Sequence, residues 1–364
     1  MTRTTRSLVG ARLSIGGSVS AVTGCGAGAA TTSTLRRPWR LGAAFAVFAV
    51  VIWACGGSNR TNSEQGSTSG GSSSGKPGGD NSDDGGSSSS DSSAGGDGGT
   101  PGIGCGQTLP PLSDYSQDGP YTAMTVNNSG PDGGYTIVLP TTLGENGFRH
   151  PIATWGNGIT TTPATYPTIL NRIASNGIVV IASNNSRVTP ADMTGGLDWM
   201  VQQNAASGSY QGKLDTTCLI SIGYSWGGMG AVNAGSHADV VTTVSFHGLQ
   251  GMSANLKTPL LLFTSTTDTF VTASGYVTPT YNASVVQTFY ATLTAAGDPS
   301  NQGHLIVINA SDPEYAVAVA WLRLWVYGDQ GALGYFFGPD AKACQSPFTC
   351  QTKEPGATSQ MTGF

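Results

Sequence analysis

A serine can cleave an acyl bond when a histidine takes its proton and a carboxylate orients that histidine. The segment Leu219-Ile-Ser-Ile-Gly-Tyr-Ser-Trp-Gly-Gly-Met-Gly-Ala231 offers such a serine, Ser225, at the centre of a G-x-S-x-G pattern. The pattern alone carries little weight, because the chain holds 53 glycines and repeats it at Gly71-Ser-Ser-Ser-Gly75. Context separates the two copies. A nucleophilic serine of this kind needs a strand before it and a helix after it, so that a tight turn presents the hydroxyl. Ser73 lies in a Gly/Ser-rich tract with neither. Ser225 follows the apolar run Leu219 to Ile222 and precedes the helical stretch Met229 to Ala234.

Base and acid follow by elimination. After a serine on such a turn, the acid and then the histidine come in chain order. The histidines are His150, His237, His247 and His304. His150 precedes the serine at a strand start, and His237 follows the helix after Ser225, at the same wrong edge. His247 lies just past a strand, on the correct edge but ahead of the expected acid. Only His304 comes late enough. Between Ser225 and His304 the acids are Asp239, Asp268 and Asp298. Asp239 precedes a strand, Asp298 sits in a turn-like Gly297-Asp-Pro299, and Asp268 comes immediately beyond the run Pro259 to Thr264. Asp268 is therefore the expected acid. One feature opposes His304: the Leu305-Ile-Val-Ile-Asn309 that follows reads as a strand, whereas the role needs a buried loop or a helical turn.

These residues need a frame that brings strand ends together. Strands are expected at Tyr135 to Pro140, His150 to Trp155, Ile178 to Ala182, Leu219 to Ile222, Val240 to Phe246 and Leu260 to Thr264. Val285 to Thr294 is ambiguous. Helices are expected at Tyr166 to Ser175, with Ile169, Leu170, Ile173 and Ala174 on one face, at Met193 to Ala206, and at Ala316 to Tyr327. The alternation predicts an α/β fold with a mostly parallel central sheet and helices on both faces. Right-handed crossovers then gather the strand C-termini, and the loops beyond them, along one edge. The connections Trp155 to Gly158 and Thr264 to Asp268 are short, so no lid domain is expected.

The rest of the chain reads as an address and a tether. Residues 1–33 read as an N-terminal extension. Arg36, Arg37 and Arg40 precede the short apolar run Leu41 to Ala54, which fits a signal-peptide core better than a membrane span, and Val51-Ile-Trp-Ala-Cys55 resembles a lipoprotein cleavage box. Residues 34–55 are thus a signal peptide ending at a candidate lipidation site, Cys55, with an ordinary secretory signal as the alternative. Residues 56–104 are mostly Gly, Ser and Asp, with almost nothing apolar to bury, and are expected to be a disordered linker. A flexible tether of that length spans roughly 40 Å. Residues 105–364 form the one expected folded domain. A net charge of −5 with no basic patch leaves no electrostatic footprint for nucleic acid. Cys105, Cys218, Cys344 and Cys350 lack zinc-site spacing and, in an exported domain, read as two disulfides. Three pairings are possible. Cys344 with Cys350, leaving Cys105 with Cys218, is the expected one.

From about Tyr121 to Gly338 the chain resembles the bacterial cutinases and polyethylene terephthalate hydrolases of the α/β-hydrolase superfamily. The resemblance lies in Leu214 to Gly228, in Thr267-Asp-Thr-Phe-Val271, in the spacing of His304 ahead of Val319-Ala-Trp-Leu-Arg323, and in Gly158-Ile-Thr160. It implies an α/β-hydrolase fold and a serine hydrolase with Ser225, Asp268 and His304 as catalytic residues. It also implies an oxyanion hole from the amides of Ile159 and Trp226, and a cleft lined by Ile159, Tyr224, Trp226 and His247. No metal or organic cofactor is implied. Three departures stand out: Trp226 replaces a methionine, Ile159 an aromatic residue, and Cys218 an arginine. The expectation is a monomer acting on carboxylic esters, including polyesters, at the bacterial cell envelope (the outer membrane) or secreted, and meeting a membrane only through a lipid anchor. The alternatives are a small-molecule carboxylesterase or lipase without polymer activity, and a catalytically silent binding module of the same fold.

Cys55→Ser should move the protein from the membrane fraction to the soluble fraction. Unchanged fractionation would leave the ordinary secretory signal as the better reading.

Overall fold

The computed structural model describes residues 104–354. The elements in chain order are β1 (Ala123–Ser129), β2 (Tyr135–Pro140), β3 (His150–Gly156), α1 (Pro167–Ser175), β4 (Val179–Ser183), α2 (Pro190–Ala205), β5 (Leu214–Tyr224), α3 (Trp226–Ala234), β6 (Val240–Phe246), β7 (Leu260–Ser265), α4 (Thr278–Ala283), β8 (Thr288–Leu293), α5 (Glu314–Tyr327), α6 (Leu333–Phe336) and β9 (Phe348–Lys353). The strands form one nine-stranded sheet in the order β1-β2-β4-β3-β5-β6-β7-β8-β9. Strands β3 to β8 run parallel, while β1, β2 and β9 are antiparallel to their neighbours.

The central strands are apolar on both faces because helices cover both. Along β3 and β4, Ala153, Trp155, Val180 and Ala182 pack into the cluster that holds Ile169 and Ile173 of α1 and Val319 and Leu322 of α5. Their alternates, Ile152, Val179 and Ile181, pack with Leu197 and Met200 of α2. This is the period of two expected of a strand buried on both sides. Helix α2 starts on a capping box, in which the Thr189 hydroxyl accepts from the Asp192 amide and the Asp192 carboxylate accepts from the Thr189 amide. Such a cap is worth about 1 kcal/mol. Helix α1 stops where Gly177 turns to φ +81°, a conformation that favours glycine. Among the described residues, no helix is long and apolar enough to cross a membrane.

The structure extends and corrects the sequence reading at several places. β5 begins at Leu214, well before Leu219, because the sheet continues past a register shift at Pro151/Ile152. The ambiguous stretch after Val285 contains β8. β1 and β9 lie at the sheet edges with mostly exposed residues, so neither carries an apolar signal. The run after His304 is a 3-10 helix, Gly303–Ile308, rather than a strand.

Both expected disulfides form. Cys105–Cys218 ties the start of the domain to β5 across 113 residues, and Cys344–Cys350 closes a loop of separation 6 beside the edge strand β9. In the chain-entropy description the long loop is worth about 4–5 kcal/mol and the short one about 2 kcal/mol. Cys105→Ala/Cys218→Ala should therefore lose more stability in denaturant titration than Cys344→Ala/Cys350→Ala. Non-reducing peptide mapping that found free thiols at these positions would refute the pairing.

Candidate active site

Ser225 sits where β5 ends and α3 begins. In register, Tyr224 lies beside Phe246 and Phe246 beside Phe263, so the loops after β5, β6 and β7 leave the same edge of the sheet. Ser225 has φ +57° and ψ −118°, an unusual backbone for a residue with a side chain. Strain of this kind costs about 1–3 kcal/mol and persists only where neighbours hold it. Here the Ser225 amide donates to the Phe246 carbonyl at 2.9 Å, and its own carbonyl accepts from the amides of Met229 and Leu249. The turn is tight because α3 lies directly on the backbone of β3 and β5. A Cβ on Gly227 would come 2.1 Å from the Gly156 carbonyl carbon, and one on Gly223 would come 2.1 Å from the Gly227 carbonyl oxygen.

His304 is brought to Ser225 by a loop fastened to the acid loop. Gly303 takes φ +55° and lies so close to Thr267 that a Cβ would fall 2.3 Å from its carbonyl oxygen. Asp298 secures both sides: its Oδ2 accepts from the Thr267 hydroxyl at 2.6 Å and the Gly303 amide at 2.7 Å, and its Oδ1 from the Gln302 amide at 2.8 Å. Burial would raise the Asp298 carboxyl, but these donors hold it below the usual carboxylate range. The Tyr224 hydroxyl donates to the His304 carbonyl at 2.7 Å.

The resulting geometry is a continuous chain. Ser225 Oγ lies 2.8 Å from His304 Nε2, and His304 Nδ1 lies 2.8 Å from Asp268 Oδ2. Asp268 Oδ1 accepts from the amides of Phe270 at 2.9 Å and Val271 at 2.8 Å. Asp268 Oδ2 also meets His247 Nδ1 at 2.9 Å, and His247 Nε2 meets Glu314 Oε1 at 3.1 Å. Burial lowers the His304 pKa below the ordinary histidine value, and the Asp268 carboxylate only partly opposes it. His304 is then neutral at pH 7, with Nδ1–H donating to Asp268 and Nε2 accepting from Ser225. Burial would raise the Asp268 carboxyl, yet the hydrogen bonds from His247 and His304 hold it well below the usual range. Burial would lower His247, but Glu314 and Asp268 push it up to about 10.

A serine hydroxyl hydrogen-bonded to a neutral imidazole, itself aligned by a carboxylate, can become a nucleophile as the imidazole takes its proton. The Trp226 amide opens α3, where the first N–H groups have no partner within the helix. The end of β3 runs alongside, since a Cβ on Gly227 would also lie 2.6 Å from the Asn157 carbonyl oxygen. Ile159 follows from there, with Gly158 held by the Tyr166 hydroxyl and Thr160 by the Ser186 carbonyl. His247, Asp268 and His304 are also the group of potential metal ligands found among the described residues, with ligand atoms within 4.8 Å of one another. Both histidine Nδ1 atoms are directed at the same Asp268 oxygen, as in a hydrogen-bond network rather than around a shared ion.

Two expected cleft residues are placed otherwise. His247 is 0% exposed and Tyr224 is 4% exposed, so neither lines an open groove. Two carboxylates hold His247 inward, and the Tyr224 ring lies against His304 with centroids 5.0 Å apart. Ile159 and Trp226 remain half-buried. The Trp226 indole N–H donates to the Val188 carbonyl at 2.7 Å, and Arg187 lies over its ring at 5.8 Å, so the indole is fixed against the loop ahead of α2. Sequence reasoning missed Asp298 as the fastener and Glu314 as the partner of His247. A histidine just past a strand, with no surface to face, was the available signal. It also missed the exposed apolar side chains of the acid and histidine loops: Phe270, Leu305 and Ile308. The Phe270 ring lies 6.0 Å from that of His304.

Residues 113–353 match the family model described as PET hydrolase-like. No curated protein matches the chain in sequence.

A fluorophosphonate should label Ser225, and Ser225→Ala should abolish the labelling. The labelling rate should rise with pH as His304 loses its proton, reaching half-maximum below the ordinary histidine value of about 6.5 because the His304 pKa is lowered. A midpoint above that value, or label on another serine, would contradict the arrangement.

Proposed function

The chain belongs to the PET hydrolase-like family, and from that premise we propose that it is a serine hydrolase cleaving carboxylic esters, including aliphatic polyesters, through an acyl-enzyme. The observation that carries the reading is the hydrogen-bonded chain from Ser225 through His304 to Asp268. Ser225 Oγ attacks the ester carbonyl carbon while His304 Nε2 takes the hydroxyl proton. The negative charge on the former carbonyl oxygen is received by the amides of Trp226 and Ile159, each worth roughly 3–4 kcal/mol in comparable sites. As the tetrahedral intermediate collapses, His304 returns the proton to the departing alkoxide. Water, deprotonated by the same nitrogen, then attacks the acyl-enzyme and releases the acid and Ser225. Asp268 keeps Nδ1 protonated, so Nε2 is always the nitrogen that exchanges protons.

Phe270, exposed and with its ring 6.0 Å from that of His304, offers an apolar contact beside the nucleophile, which favours an apolar substrate over a small polar one. The bulk of Trp226, fixed beside the nucleophile, favours thin aliphatic chains over aromatic diacid units. The two disulfides support export to an oxidising compartment, and with Cys55, which lies outside the described residues, they support a tethered envelope enzyme.

Purified protein should hydrolyse short p-nitrophenyl esters and a dispersed aliphatic polyester, and act more weakly on aromatic polyester film. Ser225→Ala should abolish all three activities without loss of fold. Trp226→Met, which also releases the Val188 contact, should change polymer turnover more than small-ester turnover. Ester hydrolysis without any polyester activity would favour a plain carboxylesterase. A folded protein inert towards every ester would favour a silent binding module.

A further inference from the structure

The mechanism uses Ser225, His304 and Asp268 and leaves a buried ionisable pair without a part. His247 and Glu314 are both 0% exposed. Each ring nitrogen of His247 meets a carboxylate: Nδ1 lies 2.9 Å from Asp268 Oδ2, and Nε2 lies 3.1 Å and 3.2 Å from the two Glu314 oxygens. A neutral imidazole donates from one nitrogen only, and an ionised carboxylate has no proton to give the other. Two carboxylate partners therefore require both nitrogens protonated, unless a carboxyl group holds a proton instead. Asp268 is poorly placed to do so, since it already accepts from His304 and from the amides of Phe270 and Val271.

Glu314 presents both oxygens to Nε2, the arrangement of a carboxylate sharing one donated N–H, and Asp312 beside it is the better holder of a proton. Asp312 is 5% exposed, uses one oxygen to accept from the Glu314 amide, and leaves Oδ2 buried without a partner. Burial and the Glu314 charge push the Asp312 carboxyl well above the usual range. The groups facing His247 are thus Asp268 from the acid loop, Glu314 and Asp312 from the start of α5, Asp298 and His304 from the histidine loop, and the Tyr224 ring, 6.5 Å away at the end of β5.

We propose that His247 is a positioning residue for the reaction proposed above: a doubly protonated imidazolium, clamped between Glu314 and Asp268, that fixes the carboxylate facing His304 and sets a positive charge behind it. The inference rests on the Ser225–His304–Asp268 reading for its functional part. It has two consequences. Asp268 Oδ2 is held by a second donor, so it cannot turn away when His304 moves. A positive ring whose centroid lies 5.8 Å from that of His304 disfavours protonation of His304 in the resting enzyme, which keeps the base free at lower pH. Glu314 makes the buried cation tolerable.

Two experiments test this. In protein labelled with 15N-histidine, His247 should show two protonated ring nitrogens at pH 8, while His304 shows one. A singly protonated His247 overturns the proposal, and this readout does not depend on activity. His247→Asn keeps a donor near the Nδ1 position and removes the charge. It should move the acidic limb of the kcat/KM profile on a small soluble ester upward by about one to two pH units, with kcat falling and KM little changed. A merely structural His247 would lower Tm and leave that limb in place. If His247→Asn does not fold, because Glu314 is left unpaired, His247→Asn/Glu314→Gln removes both charges. The limb should again move upward, by less, since Glu314 acts on His304 in the opposite sense. An unmoved limb in the folded variant overturns the proposal. If Ser225→Ala keeps wild-type ester hydrolysis, the hydrolase reading fails instead, while the charge of His247 stays measurable.

Discussion

The Asp268 side chain has no exposed surface, and an anion taken out of water must be met by donors or be neutralised. Two come from its own loop, the amides of Phe270 and Val271, and they occupy one oxygen. The other oxygen can be served only by side chains from elsewhere in the chain, and His247 and His304 serve it. Satisfying one carboxylate thus brings the end of β6 and the 3-10 turn after β8 to the end of β7. Asp298 repeats the device on a smaller scale, with two amides and a hydroxyl that pin the histidine loop to the acid loop. Position and charge have the same cause here. The donors that fix Asp268 also keep it ionised, and an ionised Asp268 keeps Nδ1 of His304 protonated.

Ser225 reaches this network because backbone meets backbone beneath it. Gly223 and Gly227 let β5 and α3 approach to distances no side chain would allow, and the contact of Gly227 with Gly156 brings the end of β3 against the same helix start. The positive φ at Ser225 is the price of turning from strand to helix in a single residue. It is sustained by the Phe246 carbonyl on one side and by the amides of Met229 and Leu249 on the other. The same contact brings the Trp226 amide, which begins α3, near the segment that carries Ile159. Nucleophile and candidate oxyanion donors are therefore set by one packing event, independently of the side chains at 159 and 226.

Much of this was legible in the sequence where burial on both faces writes an apolar run. β4, β6 and β7 announce themselves through Ile, Val, Leu and Phe, as does the antiparallel β2, and the parallel strands place the loops that carry serine, acid and histidine along one edge. The edge strands were not legible, because Ala123–Ser129 and Phe348–Lys353 face water on most of their length and need no periodic pattern. Leu305 to Asn309 looked like a strand because apolar residues are consecutive there. In the 3-10 turn they divide, with Ile306 and Val307 going inward and Leu305 and Ile308 outward. The family resemblance places His247 in the cleft, whereas its side chain is buried between two carboxylates. Only the fold shows Glu314, 67 residues later, completing its coordination by carboxylates. Ion pairs between distant segments have no local signature, so this part of the site could not be read from spacing.

The charges in the site alternate along the chain of contacts. Glu314 is followed by the imidazolium assigned to His247, then by the Asp268 carboxylate, and then by His304, which becomes positive only when it has taken the proton of Ser225. The developing oxyanion would be the next negative charge, facing the amide dipoles at the start of α3. Each charge lies nearest to one of opposite sign, so the charge separation of the proposed acyl transfer would extend an existing pattern rather than create an isolated ion pair in a buried site. The arrangement also limits itself. With His304 neutral, Glu314 and Asp268 outnumber the cation assigned to His247, and Asp298 adds a further carboxyl held below the usual range. Protonating His304 would add a second cation beside Asp268 as the oxyanion forms. The proton comes from Ser225, so the net charge of the buried site is unchanged by the transfer, and the new cation stands between Asp268 and the oxyanion.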